Sequence, residues 1–190
     1  MKEPTITDNQ AKGDVWKGLV AGLVGGLVAS WTMNRFQDVW MKLSDNHSSS
    51  KQSPEQDKNL EANQRETGDD DSQDDTTVKT ASAISEGIFG HRLTKDEKRI
   101  AGPAVHYSLG TSVGGLYGAA AEVIPEVTNG GGLPFGAAFW VVVDETAVPL
   151  LGLSKGPTKY PLSTHFYALT SHFVYGLTAE VVRRSVRKAL

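Results

Sequence analysis

The sequence contains no cysteine among its 190 residues. Disulfide bonds, thiolate metal sites, iron–sulfur clusters and lipid-modified cysteines are therefore excluded. The sequence also lacks an excess of positive charge, because its formal net charge is −3 at pH 7. Proteins that bind nucleic acid usually carry a basic patch, so nucleic acid is not an expected partner.

Motifs for common catalytic chemistries are missing as well. There is no G-x-S-x-G, no Walker loop, no H-E-x-x-H and no dinucleotide-binding fingerprint. The glycine-rich run at 129–132 lacks the Lys-Ser/Thr pair that follows the glycines of a phosphate loop, so we interpret it as a turn. We expect a protein that is not an enzyme and needs no cofactor.

Four long apolar blocks stand out, at 15–33, 103–125, 133–153 and 162–182. Each is close to the ~20 residues that a helix needs to cross about 30 Å of hydrocarbon. Since lipid offers no hydrogen bonds to the backbone, such spans must be helical or form closed barrels, and these blocks are too long for barrel strands. The pattern predicts an all-α, multi-pass membrane helical bundle with about four transmembrane helices. Buried core helices of a soluble protein are the alternative.

The first block also has features of a cleaved signal peptide. Lys12 and Lys17 precede or begin it, and Val28-Ala29-Ser30 resembles a cleavage site. Its long, glycine-rich core instead favours an uncleaved first span.

Residues 44–79 differ sharply in composition from the rest of the chain. They carry ten acidic side chains against four basic ones, with very few apolar residues. Such a segment cannot bury enough apolar surface to offset its ordering entropy, so it is predicted to be disordered. It could be a solvated linker, or it could sequester metal or recruit a protein partner that the sequence does not identify.

These features predict a simple organisation. Thr94 and Glu97 have the spacing of a capping box, which predicts a helix start at Thr94, and Pro103 is expected to kink that helix at the bilayer. The predicted segments are an N-terminal tail (1–13), a first membrane helix (14–34), a polar acidic disordered loop (35–79), an amphipathic interfacial segment (80–102) and a three-helix membrane region (103–190) with spans at about 103–125, 133–153 and 162–184.

Glycine recurs at every fourth position in the first two spans, the spacing of a glycine zipper. Because four residues make slightly more than one helical turn, each set lies along one helix face. Small side chains there allow close helix packing in lipid. The spans could pack on each other or mediate a homo-oligomer, or the glycines could simply reflect membrane-helix composition. The glycines are Gly18, Gly22 and Gly26 in the first span and Gly110, Gly114 and Gly118 in the second.

Ionisable residues within the spans sort into three layers. A charge at the bilayer centre costs about 2.5–3.5 kcal/mol on insertion scales, so such residues usually face the bundle interior. We call the membrane side that holds the acidic loop the loop face and the opposite side the terminal face. From the loop face inward, the layers are His106 and His165, then Asp144, Glu145 and His172, then Glu122, Glu180, Arg183 and Arg184.

The two deeper layers have different expected roles. In the layer at the terminal face, Glu180 can pair with Arg184 one turn on, and Glu122 with Arg183 across helices, as a conformational clamp. Asp144, Glu145 and His172 could form a proton-binding site or one step of a relay. A neutral, hydrogen-bonded packing network is the simpler interpretation. A metal site of Asp144 with the histidines is not expected, because His106 lies more than a turn away in depth.

Parts of the chain resemble the YagU-like family of uncharacterised bacterial inner-membrane proteins. The resemblance rests on the segments His106-Tyr107 through Glu122-Val123-Ile124-Pro125, Gly152-Leu153, His172-Phe173-Val174 and Glu180-Val181-Val182-Arg183-Arg184. It covers about 100–190 and implies a multi-pass protein of the bacterial inner membrane, with no established active site. The positions of this chain that match the family pattern are His106, Glu122, His172, Glu180, Arg183 and Arg184.

The placement of basic residues gives a predicted orientation. Basic residues crowd the end of the fourth span and flank the first, which by the positive-inside rule places both termini in the cytoplasm. Six basic residues on the opposite side, between 92 and 159, go against this rule. We expect a structural or stress-related membrane protein. The alternatives are a small transporter or proton-responsive channel, and a membrane-anchored adaptor that acts through its acidic loop.

Overall fold

The computed structural model describes the backbone of residues 6–48 and 76–190, and side chains in 14–44 and 76–190. The described chain is all-α and contains no strand, which confirms the all-α part of the predicted fold class. The helices are α1 (Ile6–Ser48), α2 (Thr76–Ile84), α3 (Lys95–Val123), α4 (Leu133–Val142), α5 (Val148–Leu150) and α6 (Leu162–Ala189). Two π-helical turns, Ser85–Phe89 and Val143–Ala147, and two 3-10 turns, Pro125–Thr128 and Pro157–Lys159, join them.

Helix α1 is longer than the apolar block that predicted it. The predicted acidic loop was expected to begin at residue 35, but α1 continues to Ser48. Aromatic packing explains part of this extension, because the Trp40 ring lies 5.6 Å from Phe36 and 5.7 Å from Tyr167 of α6, centroid to centroid. At the other end of the loop, α2 already begins at Thr76. The intervening part of the predicted disordered loop lies outside the described residues.

Helix α3 begins where the sequence predicts. Thr94 is its N-cap: the Thr94 hydroxyl accepts from the Glu97 N–H, and the Glu97 carboxylate accepts from the Thr94 N–H at 2.8 Å. The capping box is thereby confirmed. The helix continues through Pro103 without interruption and ends at Val123.

The third apolar block forms one helical run, Leu133–Leu150, with a π-helical turn inside it. We call Val143–Ala147 the π-turn. Pro149 has no N–H to donate to the carbonyl four residues back, and its ring crowds that carbonyl. The helix widens just before this proline, where the Val148 N–H bonds to the Val143 carbonyl. The run ends near Gly152, whose φ of 72° is readily adopted only by glycine.

Helix α1 is the centre of the bundle. It runs antiparallel to both α3 and α6, and α4 packs along α6. Asp14 meets Arg187 at one end, and Trp40 meets Tyr167 at the other. Helix α2 lies against the first turns of α3, where Val78 approaches Gly102.

Two helices of the described chain are long and apolar enough to cross a membrane. They span Asp14–Ser44 and Leu133–Leu150, each with a mean hydropathy of 1.3 over its most apolar window. By length and composition alone they are a weak indication of membrane association, because the core helix of a soluble protein and a signal sequence share these properties. The spans expected in α3 and α6 stay a prediction.

Candidate functional site

The π-turn places two adjacent carboxylates opposite two histidines of α6. Asp144 and Glu145 are its second and third residues, and they point to different levels of α6. His165 and His172 are seven residues apart, which separates them by about 10 Å along the helix axis. π-helical turns are rare and frequently occur at functional sites.

Glu145 and His165 form a close pair. His165 Nδ1 lies 2.7 Å from Glu145 Oε1, and His165 Nε2 lies 3.0 Å from the Pro157 carbonyl oxygen. Depending on its tautomer, the neutral imidazole donates to the Glu145 carboxylate through Nδ1 or to the Pro157 carbonyl through Nε2, and the protonated imidazole donates to both.

Asp144 and His172 form a looser pair one level deeper. His172 Nδ1 donates to the Ala168 carbonyl oxygen at 2.9 Å, so Nε2 faces Asp144 without a hydrogen when the ring is neutral. The distance from Nε2 to Asp144 Oδ2 is 3.8 Å. The His172 side chain is almost completely buried, whereas that of Asp144 is 39% exposed. This is an ion-pair distance if a proton is bound, and it exceeds a direct hydrogen bond.

Aromatic rings separate these pairs from the other end of α6. Phe139 packs edge-on against His172 at 5.2 Å and lies 5.1 Å from Tyr175, centroid to centroid. Phe135 stacks on Tyr117 at 4.0 Å. The buried Tyr175 hydroxyl donates to the Gly110 carbonyl oxygen at 2.6 Å, which fixes that ring between α6 and α3. We call Tyr117, Phe135, Phe139 and Tyr175 the aromatic seal.

Beyond the aromatic seal, a buried carboxylate is held by two arginines. Glu180 is 1% exposed and accepts two hydrogen bonds from Arg183, at 2.8 and 3.0 Å. It also accepts from Arg184 and, at 2.9 Å, from the Tyr117 hydroxyl. The Arg183 guanidinium carbon lies 5.8 Å from the centre of the Tyr117 ring. This arrangement fully partners the buried charge and includes the Glu180–Arg184 pair that the sequence predicts.

Glu122 has a different partner from the one predicted. It pairs with Arg187, at 2.8 and 3.1 Å, rather than with Arg183, which is turned toward Glu180. Arg187 also donates to Asp14 of α1 at 3.0 Å, so one guanidinium joins three helices. The hydrogen bonds to Glu122 raise the pKa of Arg187 above its ordinary value. Arg183 is unavailable because it lies on the same face as Glu180, one turn along.

The glycine faces of α1 and α3 meet directly. A Cβ atom on Gly22 would lie 2.8 Å from the Gly118 Cα, and one on Gly26 would lie 3.0 Å from the Gly114 Cα. The opposed pairs are Gly18 with Gly118, Gly22 with Gly114 and Gly118, and Gly26 with Gly110 and Gly114. Both faces are covered within one chain, so a homo-oligomer would need another surface.

A second close approach was not anticipated. Gly132 and Gly136 of the α4 region meet Gly176 and the His172 backbone of α6. The four-residue spacing of Gly132 and Gly136 could have predicted this close contact. It was overlooked because 129–132 was interpreted only as a turn. This contact sets the register between α4 and α6, and so brings the π-turn to the histidines.

The remaining predicted residue, His106, lies on α3. Its ring packs edge-on against Tyr107 at 5.5 Å, whereas His165 of the same predicted layer is engaged with Glu145 and Pro157. Across the described side chains, no group of three or more His, Asp or Glu residues could hold a metal ion. The histidine–carboxylate pairs are thus two separate pairs.

A model of one protein family matches residues 85–181, just over half of the chain. Its description is a protein of unknown function, DUF1440. The chain belongs to the DUF1440 family. No curated protein and no solved structure matches the chain. The DUF1440 region includes both histidine–carboxylate pairs, the aromatic seal and Glu180, but it excludes α1 and the three arginines that follow Glu180.

Sequence reasoning missed several residues that complete the site. They are Asp14, Tyr117, Phe135, Phe139, Tyr175 and Arg187. A signal existed for two of them, because Tyr175 and Arg187 lie on the face of α6 that also carries His172, Glu180 and Arg183. The others depend on how helices pair, which residue spacing within one helix does not specify.

Proposed function

We propose that this DUF1440 protein is a four-helix, multi-pass protein of the bacterial inner membrane with a non-enzymatic, structural role. The observation that carries the proposal is the inverted polarity of the bundle. Fully buried side chains include Ser30, Ser171 and Glu180, whereas many large apolar side chains point outward. A water-soluble bundle buries its large apolar side chains instead.

The outward apolar surface includes all four proposed spans. Among its residues are Leu27 and Trp31 on α1, Leu109 and Leu116 on α3, Val141 and Val142 on α4, and Phe166, Leu177 and Val181 on α6, with 41–68% of each exposed. Exposed apolar side chains in this number are costly in water and favourable in lipid. It supports membrane spans in α3 and α6, whose sequences are less apolar on average because their polar residues face inward.

The interior supports a structural role. The Glu180 cluster and the Arg187 bridge connect α1, α3 and α6 at one end of the bundle. Removing one partner of a buried ion pair leaves an uncompensated charge, so these contacts favour one packing arrangement strongly. The resemblance to YagU-like proteins is consistent with this setting.

Orientation can be tested with reporters fused along the chain. Fusions of a fluorescent protein and of a secreted phosphatase at residue 190, in 126–131, in 49–75 and in 153–159 report the membrane side of each position. We expect residue 190 and 126–131 on the cytoplasmic side, and the other two segments outside. If only Asp14–Ser44 and Leu133–Leu150 cross the membrane, 126–131 lies on the same side as 49–75, and 153–159 lies on the same side as residue 190. A soluble protein places all four positions on one side.

A second candidate function is proton-linked transport. It is favoured by the two histidine–carboxylate pairs, because both lie within the bundle and histidine is the side chain that most commonly carries protons near neutral pH. Proton flux into liposomes, compared between wild type and the Asp144→Asn/Glu145→Gln double variant, tests this candidate. Flux that disappears in the folded double variant would support it. Absence of flux from folded wild type would contradict it.

A further inference from the structure

One outward stripe of α6 is apolar and then ends in two cations. Its last four members are Leu177, Val181, Arg184 and Lys188, whose spacing places them within about 60° of one another around the helix. All four side chains are exposed in the bundle. From this arrangement we infer that α6 binds the headgroup of an anionic phospholipid at the terminal face. The inference rests on the proposed membrane setting and assigns it a lipid ligand.

Arg184 presents a positive charge that its cluster does not neutralise. The single carboxylate of Glu180 faces the guanidinium groups of both Arg183 and Arg184, so the three side chains together carry one net positive charge. The Arg183 side chain is 9% exposed, whereas that of Arg184 is 55% exposed. The excess charge is therefore offered at the outer surface of the helix. Beside hydrocarbon such a charge is costly unless an anion pairs with it.

Lys188 supplies a second cation one turn farther along α6. Its side chain is exposed, and within the part of the chain that the structure describes it forms no ion pair or hydrogen bond. The neighbouring Arg187 differs, because Glu122 and Asp14 already hold it. Residues four apart on a helix have Cβ atoms about 5–6 Å apart, so one phosphate group can contact both Arg184 and Lys188. The arginine fork suits two phosphate oxygens, and the lysine adds a point charge.

The length of the stripe matches one leaflet of a bilayer. From Leu177 to Lys188 the helix rises about 16 Å, close to half of the ~30 Å of hydrocarbon in a membrane. A phosphate held by the two cations places its acyl chain along Val181 and Leu177, which are 63% and 42% exposed. A soluble phosphate compound would contact the cations alone and leave the apolar part of the stripe uncovered. The combination therefore favours a lipid.

Headgroup charge decides which class of phospholipid fits. A zwitterionic headgroup carries its own ammonium group, which competes with Arg184 and Lys188 for the phosphate. A headgroup of net charge −1 has no such competitor and neutralises the excess charge of the cluster. Each basic residue near an anionic membrane surface strengthens binding by about fivefold. An anionic phospholipid is therefore the expected ligand.

Lipid titration followed by native mass spectrometry tests the site. Full-length protein, freed of native lipid in detergent, is titrated with phosphatidylglycerol or with phosphatidylethanolamine of identical acyl chains. We expect one phosphatidylglycerol to bind first, and at least about fivefold more tightly than phosphatidylethanolamine. Glycerol phosphate has the phosphate but no acyl chain, so at equal concentration it should not displace the bound lipid.

Paired variants locate the preference on the chain. Arg184→Gln/Lys188→Gln should abolish it, so that the two lipids bind alike. Lys188→Gln alone should reduce it by about fivefold without a loss of stability, because Lys188 has no contact to lose among the described residues. Lys155→Gln/Lys159→Gln is the matched control, because it removes two exposed lysines of the same spacing from the loop before α6. The control should keep the wild-type preference.

Several results would overturn the inference. Equal binding of both lipids to folded wild type would show that the cations select no headgroup. A preference that survives in the double variant would belong to another site. Displacement by glycerol phosphate would make the ligand a soluble phosphate, and a protein dimer that the double variant abolishes would make it a second copy of the chain. All of these results are compatible with α6 in the bilayer, so the reporter fusions distinguish failure of this site from failure of the membrane setting.

Discussion

The Tyr117 hydroxyl donates to the Glu180 carboxylate at 2.9 Å and thereby joins α3 to α6 across the bundle interior. Both residues are nearly inaccessible to solvent. Their contact connects the aromatic seal to the arginines around Glu180. The Glu180 carboxylate therefore helps to fix how α3 packs against α6.

The first prediction concerns that carboxylate. Glu180→Gln should destabilise the bundle by about 3–5 kcal/mol, because it leaves the buried Arg183 guanidinium without its charge partner. Tyr117→Phe should cost only about 1 kcal/mol, the value of one hydrogen bond. Unfolding in mild detergent, followed by circular dichroism, measures both. Glu126→Gln, in the exposed 3-10 turn, is the control. Equal stability of Glu180→Gln and the control would argue against a clamp.

A second prediction tests the contact between α1 and α3. Gly22→Ala should destabilise the protein by about 1–3 kcal/mol through overpacking, because its Cβ would press on the Gly118 backbone. Gly156→Ala should have little effect, since nothing lies within 4 Å of its Cβ position and its φ is −59°. The comparison uses thermal unfolding of both variants. Unchanged stability of Gly22→Ala would show that the helices can separate there.

The Arg187 bridge gives a third prediction. Glu122→Gln and Arg187→Gln should each destabilise the protein, and the double variant should cost less than the two losses together. The expected coupling energy is about 0.5–3 kcal/mol, as for residues in direct contact. It should shrink in high salt if the bridge is reached by water. Strict additivity of the two substitutions would contradict the pairing.

A fourth prediction concerns acid sensitivity at the start of α3. The Thr94 N–H, the His91 side chain and the Thr94 hydroxyl lower the pKa of Glu97 from 4.5 to about 2. Because the pKa is lowered in the folded protein, the stabilisation is present above about pH 4.5 and is lost as the pH falls toward 2.

Glu97→Gln should remove this part of the pH dependence, while Thr94→Ala should cost about 1 kcal/mol through loss of the cap. Hydrogen exchange of the first turn of α3, measured between pH 6 and about pH 3, follows the effect locally. A first turn equally protected in wild type and Glu97→Gln at all pH values would be evidence against the cap.

Local patterns in the sequence predicted local structure well. The Thr94–Glu97 spacing located the start of α3, and the four-residue glycine spacing marked faces that meet in the structure. Glu180 and Arg184 are one turn apart on the same helix, so their pairing followed from helical geometry alone. Each of these features depends on residues close together in the chain.

Features that depend on helix register were harder to predict. Glu122 pairs with Arg187 because Arg183 is already turned toward Glu180. Arg183 and Arg187 are only about one helical turn apart on α6, so the sequence does not show which of them meets Glu122. Glu145 pairs with His165, and Glu145 lies in the π-turn before Pro149. The sequence pattern predicted a regular α-helix there, so the altered side-chain directions of a π-helical turn were not predicted. Long-range packing also extended α1 past residue 34, because Trp40 finds aromatic partners on α6.

The most direct test of the central claim is the environment of the outward apolar residues in the native membrane. The absence of cysteine allows single cysteines to be placed by Leu116→Cys and Val181→Cys, with Glu126→Cys in an exposed turn as the control. With the membrane opened to reagent, a water-soluble maleimide should label only the Glu126→Cys protein. Rapid labelling of Leu116→Cys and Val181→Cys in folded protein would show that this surface faces water, which contradicts a bundle with α3 and α6 in the bilayer.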